Sequence, residues 1–480
     1  MQSVKKNFIY QASYEVLVML IPLITSPYIS RVLGASPIGI HSYTYTIANY
    51  FVLFAALGIK NYGNREISRN RDDDKKLSET FSGILLLHFI IAGVVILVYA
   101  IYIGWIISPE YRLFSVIQGL YVVTAFFDIS WLFFGLEKFS ITVVRNAVIK
   151  IFTAVVIFVF VKNETDLWKY ILILALANFV GQSYLWLYAH KYVKFCKVRK
   201  DIIFSHLPQM LILFIPTIAV SLYNYMDKIM VGAISGTEQL GYFENSEKII
   251  FIASNVIGSL GTVMLPRMSN IIAKKEIEKT KKYISYSMQI VLCISCAMAF
   301  GFAGIATEFS VLFWGKKFSA CGDLILLLAV VLPIKGYANV LRTQYLIPNK
   351  MDKVYTMTVC VGAAINLAAN YILIPRMHAV GAAIGTILAE LFVCLAQIYF
   401  CKKQLPVFSY LKSGSVYLGA GVLMFFVMRL ISFQPGIHIA TLIIQIVTGA
   451  ITYLIVCIVY FVKTKNELFC NTIRGLKKKI

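Results

Sequence analysis

The chain has 480 residues, of which 59% are hydrophobic and 14% are charged, and its mean hydropathy is +0.76. A soluble core cannot bury so much apolar surface, so the composition excludes a soluble globular protein and predicts an all-α integral membrane protein. The formal net charge of +22 is therefore expected to reflect membrane topology and contact with anionic lipid headgroups, and nucleic acid is not expected as a partner.

About fourteen apolar runs are long enough to cross roughly 30 Å of hydrocarbon as helices. Most of the 45 Lys and Arg residues fall in the segments on the side of the N-terminus, and we assign Lys138, Arg145 and Lys150 to that side, next to the fifth run. This bias predicts that both termini are cytoplasmic. The runs cover residues 8–32, 40–58, 80–103, 112–134, 143–161, 168–189, 207–232, 239–265, 283–306, 321–346, 354–374, 380–400, 413–431 and 437–462.

A short internal repeat indicates two related halves. The stretch VLGASPIGIHSY resembles MVGAISGTEQLGYFENS, so that Gly34 and Gly39 would match Gly232 and Gly241. Six helices separate the two copies, and an even number of crossings predicts parallel repeats, as in two-lobed secondary transporters. We expect an N-terminal lobe of six helices over 1–206, a second lobe of six helices over 207–400, and two further helices with a basic tail over 401–480.

Signals for enzymatic or cofactor chemistry are weak. The chain has no GxxxxGK[ST] phosphate-binding loop, so ATP is not expected to drive its function. Asp72, Asp73 and Asp74 are flanked by basic residues and are expected in a solvated loop, while Cys293 and Cys296 lie in an apolar run without further ligands. We therefore expect no cofactor and no metal centre. A membrane glycan polymerase or ligase is an alternative, but no outer loop is long enough to hold its chemistry.

Ionisable side chains inside the runs are the main functional signal, because a charge at the bilayer centre costs about 2.5 to 3.5 kcal/mol. Lys335 lies near the middle of its run, and Asn339 and Arg342 follow at i+4 and i+7 on the same helix face. The three predict a cationic stripe along a hydrated cavity, although Arg342 alone could reach the interface. Glu390, central in its own run, could exchange a proton, pair with a cation such as Lys335, or form a structural hydrogen bond.

The stretch LYNYMDKIMVG places Asp227 and Lys228 in an apolar run, beside a polar stripe that includes Asn224. Such a stripe predicts a water-filled interior, and a local salt bridge that lowers the burial cost is the simpler alternative. Glu15 in the first run and Asp128 in the fourth add carboxylates. Interior charge that includes lysines suits a substrate with a negative head, whereas a pump for organic cations would present carboxylates and aromatic rings.

Four stretches, in order along the chain, carry a family resemblance: PLITSPYISRVLGASPIGIHSYTYTIANYF, FFDISWLFFGLEKFSITVVRN, YNYMDKIMVGAISGTEQLGYFENSEKI and NLAANYILIPRMHAVGAAIGTILAE. Together they resemble the polysaccharide or O-antigen flippases (Wzx type) of the multidrug/oligosaccharidyl-lipid/polysaccharide (MOP) transporter superfamily. The resemblance covers nearly the whole chain. It implies a MATE- and MurJ-like membrane fold of fourteen helices in two lobes.

The resemblance further implies a transporter that moves undecaprenyl-pyrophosphate-linked oligosaccharide repeat units across the bacterial cytoplasmic membrane by alternating access, while the lipid tail stays among the membrane lipids. The family's motif positions fall on Arg31, on Asp128, Trp131, Gly135 and Glu137, on Asp227, Lys228 and Gly232, and on Glu390. The expected substrate-binding or cavity residues are Arg31, Lys228, Lys335, Asn339 and Arg342. The expected ion-coupling or polar cavity residues are Glu15, Asp128, Asp227, Glu390 and Asn224.

Several alternatives remain open within the superfamily. Lipid II flippases resemble this chain but carry several arginines in the first helix, whereas residues 8–30 contain none here, so a lipid II flippase is the weaker alternative. A drug or cation antiporter is another. The resemblance leaves open which sugars are carried, whether H⁺ or Na⁺ is the coupling ion, and whether glycan polymerases dock on the basic C-terminal tail.

Overall fold

The computed structural model describes residues 2–431 and 438–464; within these ranges it describes the side chains from residue 17 onward, except those of residues 139, 216, 219 and 223. The described residues form α-helices with a few 3-10 and π-helical turns and contain no β-strand, so the all-α prediction is confirmed. The α-helices of this part of the chain are α1 (Gln2–Leu33), α2 (Ala35–Ala56), α3 (Ile59–Asn70), α4 (Asp74–Ile101), α5 (Pro109–Phe126), α6 (Ser130–Gly135), α7 (Phe139–Phe160), α8 (Leu167–Ala189), α9 (Lys200–Ser205), α10 (Leu207–Ser235), α11 (Thr237–Ala273), α12 (Ile277–Trp314), α13 (Ala320–Ala329), α14 (Val331–Leu341), α15 (Asp352–Cys401), α16 (Val407–Ile431) and α17 (Ile439–Lys463).

The long helices account for the predicted membrane crossings. Eleven helical segments of the described residues are long and apolar enough to span a membrane. Helix α1, with its shorter apolar part Leu17–Leu33, and the 29-residue α10 correspond to two further predicted runs. Helix α15 has 50 residues and leaves helical geometry at His378 (φ 52°, ψ −131°), three residues after Pro375. The break divides α15 into two helices that are each long enough to cross the hydrocarbon, so we count α15 as two crossings. The structure therefore agrees with about fourteen transmembrane segments.

The chain divides into two compact units, Met1–Gly241 and Tyr242–Ile480. Unit 1 contains α1 to α10 and the first turn of α11, and unit 2 contains the rest of α11 and the helices that follow. The lobes expected over 1–206 and 207–400 are the parts of the chain that we expect to move during transport. Their division stays a prediction. Most of the basic tail, residues 465–480, lies outside the described residues.

Unit 1 contains an apolar cluster built around short helices that do not cross the membrane. Helices α3, α6 and α9 pack against one end of the long helices, and the cluster includes the fully buried Ile67, Phe81, Trp131 and Phe133. The rings of Phe81 and Trp131 lie 5.4 Å apart. Helix α3 buries one apolar face in this cluster and carries its basic side chains on the other face, as expected of an amphipathic helix.

The acidic run before α4 caps a helix. Asp73 is the N-cap of α4, and its Oδ1 accepts hydrogen bonds from the backbone N–H groups of Lys75 and Lys76 at 3.1 and 3.0 Å. These bonds, together with the nearby charge of Lys76, lower the pKa of the Asp73 carboxyl below its usual value. Asp72 and Asp74 are exposed beside it, in agreement with the expected solvated position.

Unit 2 is packed around α12. Neighbouring helices approach α12 closely at positions where they carry small residues. A Cβ atom at Gly414 of α16 would lie 2.6 Å from the side chain of Leu292, and one at Gly421 would collide with the ring of Phe300. Small residues are used in this way where helices must approach without a solvent-driven hydrophobic effect between them. Helices α16 and α17 are therefore integral to the packing of unit 2.

The segment predicted as one span over 321–346 is divided into two helices. Helix α13 ends at Ala329 and α14 begins at Val331, because Pro333 has no N–H to donate to the Ala329 carbonyl. The segment then ends in a π-helical turn, Arg342–Leu346. This division places Lys335 in the second turn of α14, near the middle of the apolar segment.

Candidate functional site

An ion pair joins Lys335 and Glu390 near the middle of their membrane segments in unit 2. Glu390 lies midway along the second half of α15, and its Oε1 is 3.0 Å from Nζ of Lys335. The Glu390 side chain is 7% exposed and that of Lys335 is 38% exposed. Each charge reduces the cost of burying the other, while the ammonium remains accessible on one side. The structure thus shows the pairing; its role in transport stays a prediction.

A second polar group lies along α15. Nδ2 of Asn370 donates to Oδ1 of Asn366 at 3.3 Å, and both side chains are buried. A Cβ atom at Gly385, in the other half of α15, would collide with Oδ1 of Asn370. The Thr386 hydroxyl donates to the Ala382 carbonyl at 3.0 Å. Both halves of α15 therefore carry polar groups at membrane depth, where each requires a hydrogen-bonding partner.

The predicted stripe of Lys335, Asn339 and Arg342 has three different sets of neighbours. Asn339 packs on α11, where a Cβ atom at Gly261 would collide with its Oδ1. The guanidinium of Arg342 lies over the ring of Tyr355, 5.6 Å from its centroid. Arg342 also begins the π-helical turn, so the regular helical spacing used to predict the stripe ends there. A common cavity for the three side chains stays a prediction.

Helix α10 carries the Asp-Lys pair beside α2. Asp227 is 5% exposed, Lys228 is half-buried and Asn224 is exposed. On the facing helix, the hydroxyl of Tyr50 donates to the Ser221 carbonyl at 3.3 Å. Polar side chains of α10 therefore extend from a buried carboxylate to an exposed amide, and the water-filled interior expected beside them stays a prediction.

The glycine of the DKxxxG motif has a packing role. A Cβ atom at Gly232 would lie 2.6 Å from the ring of Tyr43 on α2 and 3.1 Å from the side chain of Leu240. Only a residue without a side chain leaves room for this aromatic contact. The motif thus combines two charged residues with the close approach of α10 to α2.

Helix α1 carries the two remaining candidates, Arg31 and Glu15. Arg31 is exposed in the last turn of α1, where a cation complements the partial negative charge of the helix C-terminus. Glu15 lies within α1, but its side chain is outside the described part of the chain. Their proposed roles as a substrate contact and as a coupling group stay predictions.

Asp128 organises the turn between α5 and α6. Its Oδ1 accepts the backbone N–H of Ser130 at 2.9 Å, and its Oδ2 lies 3.6 Å from Nζ of Lys60. Its backbone carbonyl accepts the indole N–H of Trp131 at 3.1 Å. These contacts support a structural role for Asp128, and its expected role in ion coupling is untested.

The rest of the DxxWxxxGxE motif attaches α6 to α3. A Cβ atom at Gly63 would lie 2.5 Å from the Trp131 ring, and one at Gly135 would lie 2.6 Å from Ile67. Just after α6, Glu137 forms an ion pair with Arg71 at 2.8 Å. The spacing of the motif therefore follows from helix packing: one glycine on each helix admits a large side chain from the other.

The internal repeat is present with a different register from the one expected. Gly34, between α1 and α2, has φ 83° and ψ −180°, and Gly236, between α10 and α11, has φ 87° and ψ 170°. These values favour glycine, so Gly34 corresponds to Gly236 and not to Gly232. Gly39 and Gly241 then both follow five residues later, which keeps their predicted equivalence.

The contacts of the repeat are reciprocal. A Cβ atom at Gly39 would collide with the Thr237 backbone, and one at Gly241 would collide with the Ala35 backbone. Between these two points, the hydroxyls of Ser36 and Thr237 are 2.8 Å apart. The first turns of α2 and α11 are therefore in direct backbone contact, each through the glycine that the repeat supplies.

Two basic residues that were expected in a cytoplasmic segment lie inside α7. The buried Arg145 donates to the Gly181 carbonyl at 2.6 Å and to the Asn146 side chain at 2.6 Å. Lys150 is the twelfth of the 22 residues of α7 and is half-buried. A hydropathy average over an apolar run hides the polarity of a single lysine. The position of Lys150, several residues inside both ends of 143–161, is a signal that could have identified it.

A further ion pair of unit 2 was also absent from the predicted site. NH1 of Arg429 on α16 lies 3.8 Å from Oε2 of Glu308 on α12, and NH2 donates to the Ala303 carbonyl at 3.3 Å. Arg429 is close to the end of α16. The pair joins two helices near the end of a span, which is typical of a structural contact.

Comparison with known proteins agrees with these observations. Residues 4–272 match the family described as "Polysaccharide biosynthesis protein". Two relatives, each named "Putative O-antigen transporter", come from Shigella dysenteriae and Escherichia coli (strain K12). The first is 22% identical over 396 residues, covering 82% of this chain and 98% of the relative. The second is 22% identical over 413 residues, covering 84% of this chain and 97% of the relative.

Solved structures share the fold. The lipid II flippase MurJ, in an inward closed conformation, superposes with a TM-score of 0.76 at 14% identity, covering 95% of this chain and all of that one. An inward-facing multidrug resistance MATE family transporter of the MOP superfamily gives a TM-score of 0.63 at 12% identity, covering 82% and 96%. The motifs, the membrane helices and the matched region, which exceeds half the chain, together show that this protein belongs to the polysaccharide biosynthesis protein family and has the fold of MOP superfamily transporters.

Proposed function

We propose that this protein flips undecaprenyl-pyrophosphate-linked oligosaccharide repeat units from the cytoplasmic to the outer leaflet of the bacterial cytoplasmic membrane, for surface polysaccharide synthesis. Its family, the names of its relatives and its transporter fold support this function. The observation that carries the proposal is the Lys335–Glu390 pair at membrane depth, with a partly exposed ammonium. Such an ammonium suits the diphosphate of a lipid-linked head.

Alternating access requires a step that links head binding to an energy source. In the proposed cycle the diphosphate competes with Glu390 for Lys335, and the coupling ion binds at a different stage from the head. After the head has left on the outer side, H⁺ or Na⁺ from that side neutralises Glu390, which is only 7% exposed. The return step releases the ion to the cytoplasm before the next head binds, so the ion moves inward while the head moves outward.

The other candidate residues take secondary places in this proposal. Two groups await mutagenesis. The family resemblance supports Arg31, Asp128, Asp227 and Lys228, and the pattern of polar residues in the apolar runs supports the others. The substrate-binding group contains Arg31, Lys228, Asn339 and Arg342, and the coupling or polar cavity group contains Glu15, Asp128, Asp227 and Asn224. The lobes over 1–206 and 207–400 are the moving bodies, and both termini are cytoplasmic.

The test is the leaflet distribution of lipid-linked oligosaccharide in a deletion strain, measured with a membrane-impermeant probe that modifies sugars. The strain is complemented with the wild-type chain, with Lys335→Ala, or with Lys403→Ala as a matched control, since Lys403 is exposed outside the helices. We expect inward-facing intermediate to accumulate in the deletion and with Lys335→Ala only. Normal outward-facing units in the deletion strain would refute the proposal.

A double variant separates substrate contact from simple charge balance. Lys335→Ala leaves Glu390 buried without its partner, whereas Lys335→Ala/Glu390→Gln removes both charges. If Lys335 contacts the head, the double variant inserts normally but stays inactive. If the pair only stabilises the helices, the double variant regains transport, and Lys335 has no place in the substrate path.

The same experiment distinguishes the alternative functions. Accumulation of lipid II in the deletion strain would identify a lipid II flippase, and sensitivity to cationic drugs without a glycan defect would identify an antiporter. Outward-facing units that accumulate without being polymerised would indicate a membrane glycan polymerase or ligase. The mid-membrane lysine makes the cation antiporter the least suitable of these, because it repels the cargo.

A further inference from the structure

Lys150 occupies the middle of a membrane-crossing helix. Helix α7 has 22 residues, which at 1.5 Å per residue gives a length of about 33 Å, close to the thickness of the hydrocarbon core. Its twelfth residue is therefore about 16 Å from either end. The side chain of a lysine is too short to reach either interface from this depth, so snorkelling does not explain its position.

The side chain of Lys150 is on the protein-facing side of α7. Its neighbours two turns away in each direction, Val143 and Ile157, are 5% and 3% exposed. The opposite face carries residues suited to lipid, such as Val148 and Phe152, which are 61% and 67% exposed. Lys150 therefore projects toward the interior of unit 1 and not toward the acyl chains.

The interior face of α7 is fixed by its contact with α1. The ring centroids of Tyr28 and Phe158 are 4.7 Å apart, and the Tyr28 hydroxyl donates to the Val161 carbonyl at 2.7 Å. At the level of Lys150 the side chain is half-buried and therefore partly accessible.

Lys150 differs from Lys335 in its surroundings. Among the residues whose side chains the structure describes, Lys150 forms no ion pair and no hydrogen bond, whereas Lys335 is paired with Glu390. A cation in the middle of a span destabilises the folded protein unless a partner or a ligand offsets the cost of its burial. Natural proteins retain such unfavourable residues mainly at functional sites.

We propose that Lys150 binds a phosphate group of an anionic ligand inside unit 1 and that, in the flipping function proposed above, this ligand is the diphosphate of the lipid-linked head. The inference rests on that proposed function for the identity of the cargo. It adds a contact on α7 that neither the sequence motifs nor the Lys335–Glu390 pair includes. A lysine ammonium attracts a phosphate as a point charge. Unlike an arginine, it does not require a fixed bidentate geometry, which suits an anion that is bound only transiently.

The first test uses purified full-length protein in nanodiscs of phosphatidylcholine, with farnesyl diphosphate as the probe and farnesol as its uncharged counterpart. Thermal unfolding is followed as a function of probe concentration for the wild type, Lys150→Met, Lys150→Arg and the control Lys403→Met. We expect farnesyl diphosphate, but not farnesol, to raise the wild-type midpoint. Lys150→Met should weaken this binding about tenfold or more, and Lys150→Arg should retain most of it.

The unliganded midpoint separates binding from structure. Lys150→Met should unfold at or above the wild-type temperature, because it removes a charge from the middle of a span. A Lys150→Met protein that is less stable than the wild type without ligand would show a structural role and overturn the inference. Unchanged affinity for farnesyl diphosphate in Lys150→Met, or no stabilisation of the wild type, would also overturn it.

Phosphatidylglycerol nanodiscs identify the source of the phosphate. If this lipid alone raises the midpoint through Lys150 and farnesyl diphosphate adds nothing, the ligand is a lipid headgroup, and the place of Lys150 in the substrate path is overturned. The leaflet assay separates this inference from the proposed function. Flipping that continues at wild-type rate in Lys150→Met refutes the inference alone, whereas Lys150-dependent diphosphate binding without any flipping defect in the deletion strain refutes the proposed function alone.

Discussion

Trp131 shows how a motif residue can be explained by packing alone. Its indole is fully buried between α3 and α4, beside Gly63 and the ring of Phe81. Its N–H is satisfied by the Asp128 carbonyl, so neither the apolar surface nor the polar atom of the ring is left without a partner. At the scale of the residue, the DxxWxxxGxE motif is an attachment point for a short helix.

Trp131→Ala should therefore destabilise the protein strongly. Loss of the indole leaves a cavity that α3 and α6 cannot close, and such changes cost about 3 to 5 kcal/mol. Thermal unfolding of the purified protein in detergent should show a large fall in the midpoint. Trp105→Ala is the matched control, because Trp105 is 85% exposed, and it should leave the midpoint nearly unchanged. Equal midpoints for the two variants would contradict the packing role.

At the scale of the element, hydropathy predicts membrane helices well. Lipid offers no hydrogen bonds, so every spanning segment must form the hydrogen bonds of its backbone internally. It predicts the spans of α15 as two crossings, and Pro375 and His378 mark the break between them. It does not predict which helices meet. The pairing of Lys335 with Glu390 joins residues 55 positions apart and depends on how α14 packs against α15.

The repeat shows a different limit of sequence reasoning. Similar letters align Gly34 with Gly232, but the backbone conformation aligns it with Gly236. The amino-acid sequence alone does not distinguish a glycine that is needed for a positive φ from one that is needed for a close contact. Gly232 is of the second kind.

The contact between the first turns of α2 and α11 can be locked. The hydroxyls of Ser36 and Thr237 are 2.8 Å apart, close enough for Ser36→Cys/Thr237→Cys to form a disulfide under mild oxidation. If alternating access separates these turns, oxidation should stop delivery of surface glycan, and a reductant should restore it. Each single cysteine variant is the control for the native thiols. A cross-linked protein that still transports at the wild-type rate would show that this contact stays closed throughout the cycle.

At the scale of the whole molecule, the two crossings assigned to α15 determine which side of the membrane each loop occupies. Lys316 lies before α13 and Lys403 follows α15, and both are exposed. Three crossings separate them if α15 crosses twice. The two positions should then be on opposite sides of the membrane, with Lys316 outside, as the distribution of basic residues predicts.

Cysteine labelling tests this topology. In a background without native cysteines, Lys316→Cys should react with a membrane-impermeant maleimide in spheroplasts, and Lys403→Cys should react only after permeabilisation. Reaction of both positions from the same side would mean that α15 crosses once and that the count of about fourteen is wrong. The glycan assay on each variant serves as the control for correct insertion.

The reciprocal glycine contact limits which sequences can keep this fold. Gly39 meets the start of α11 and Gly241 meets the start of α2. A side chain at either position would push the same two helix starts apart, so the loss of one glycine cannot be compensated by the other. Any variant that retains the contact must therefore retain both glycines.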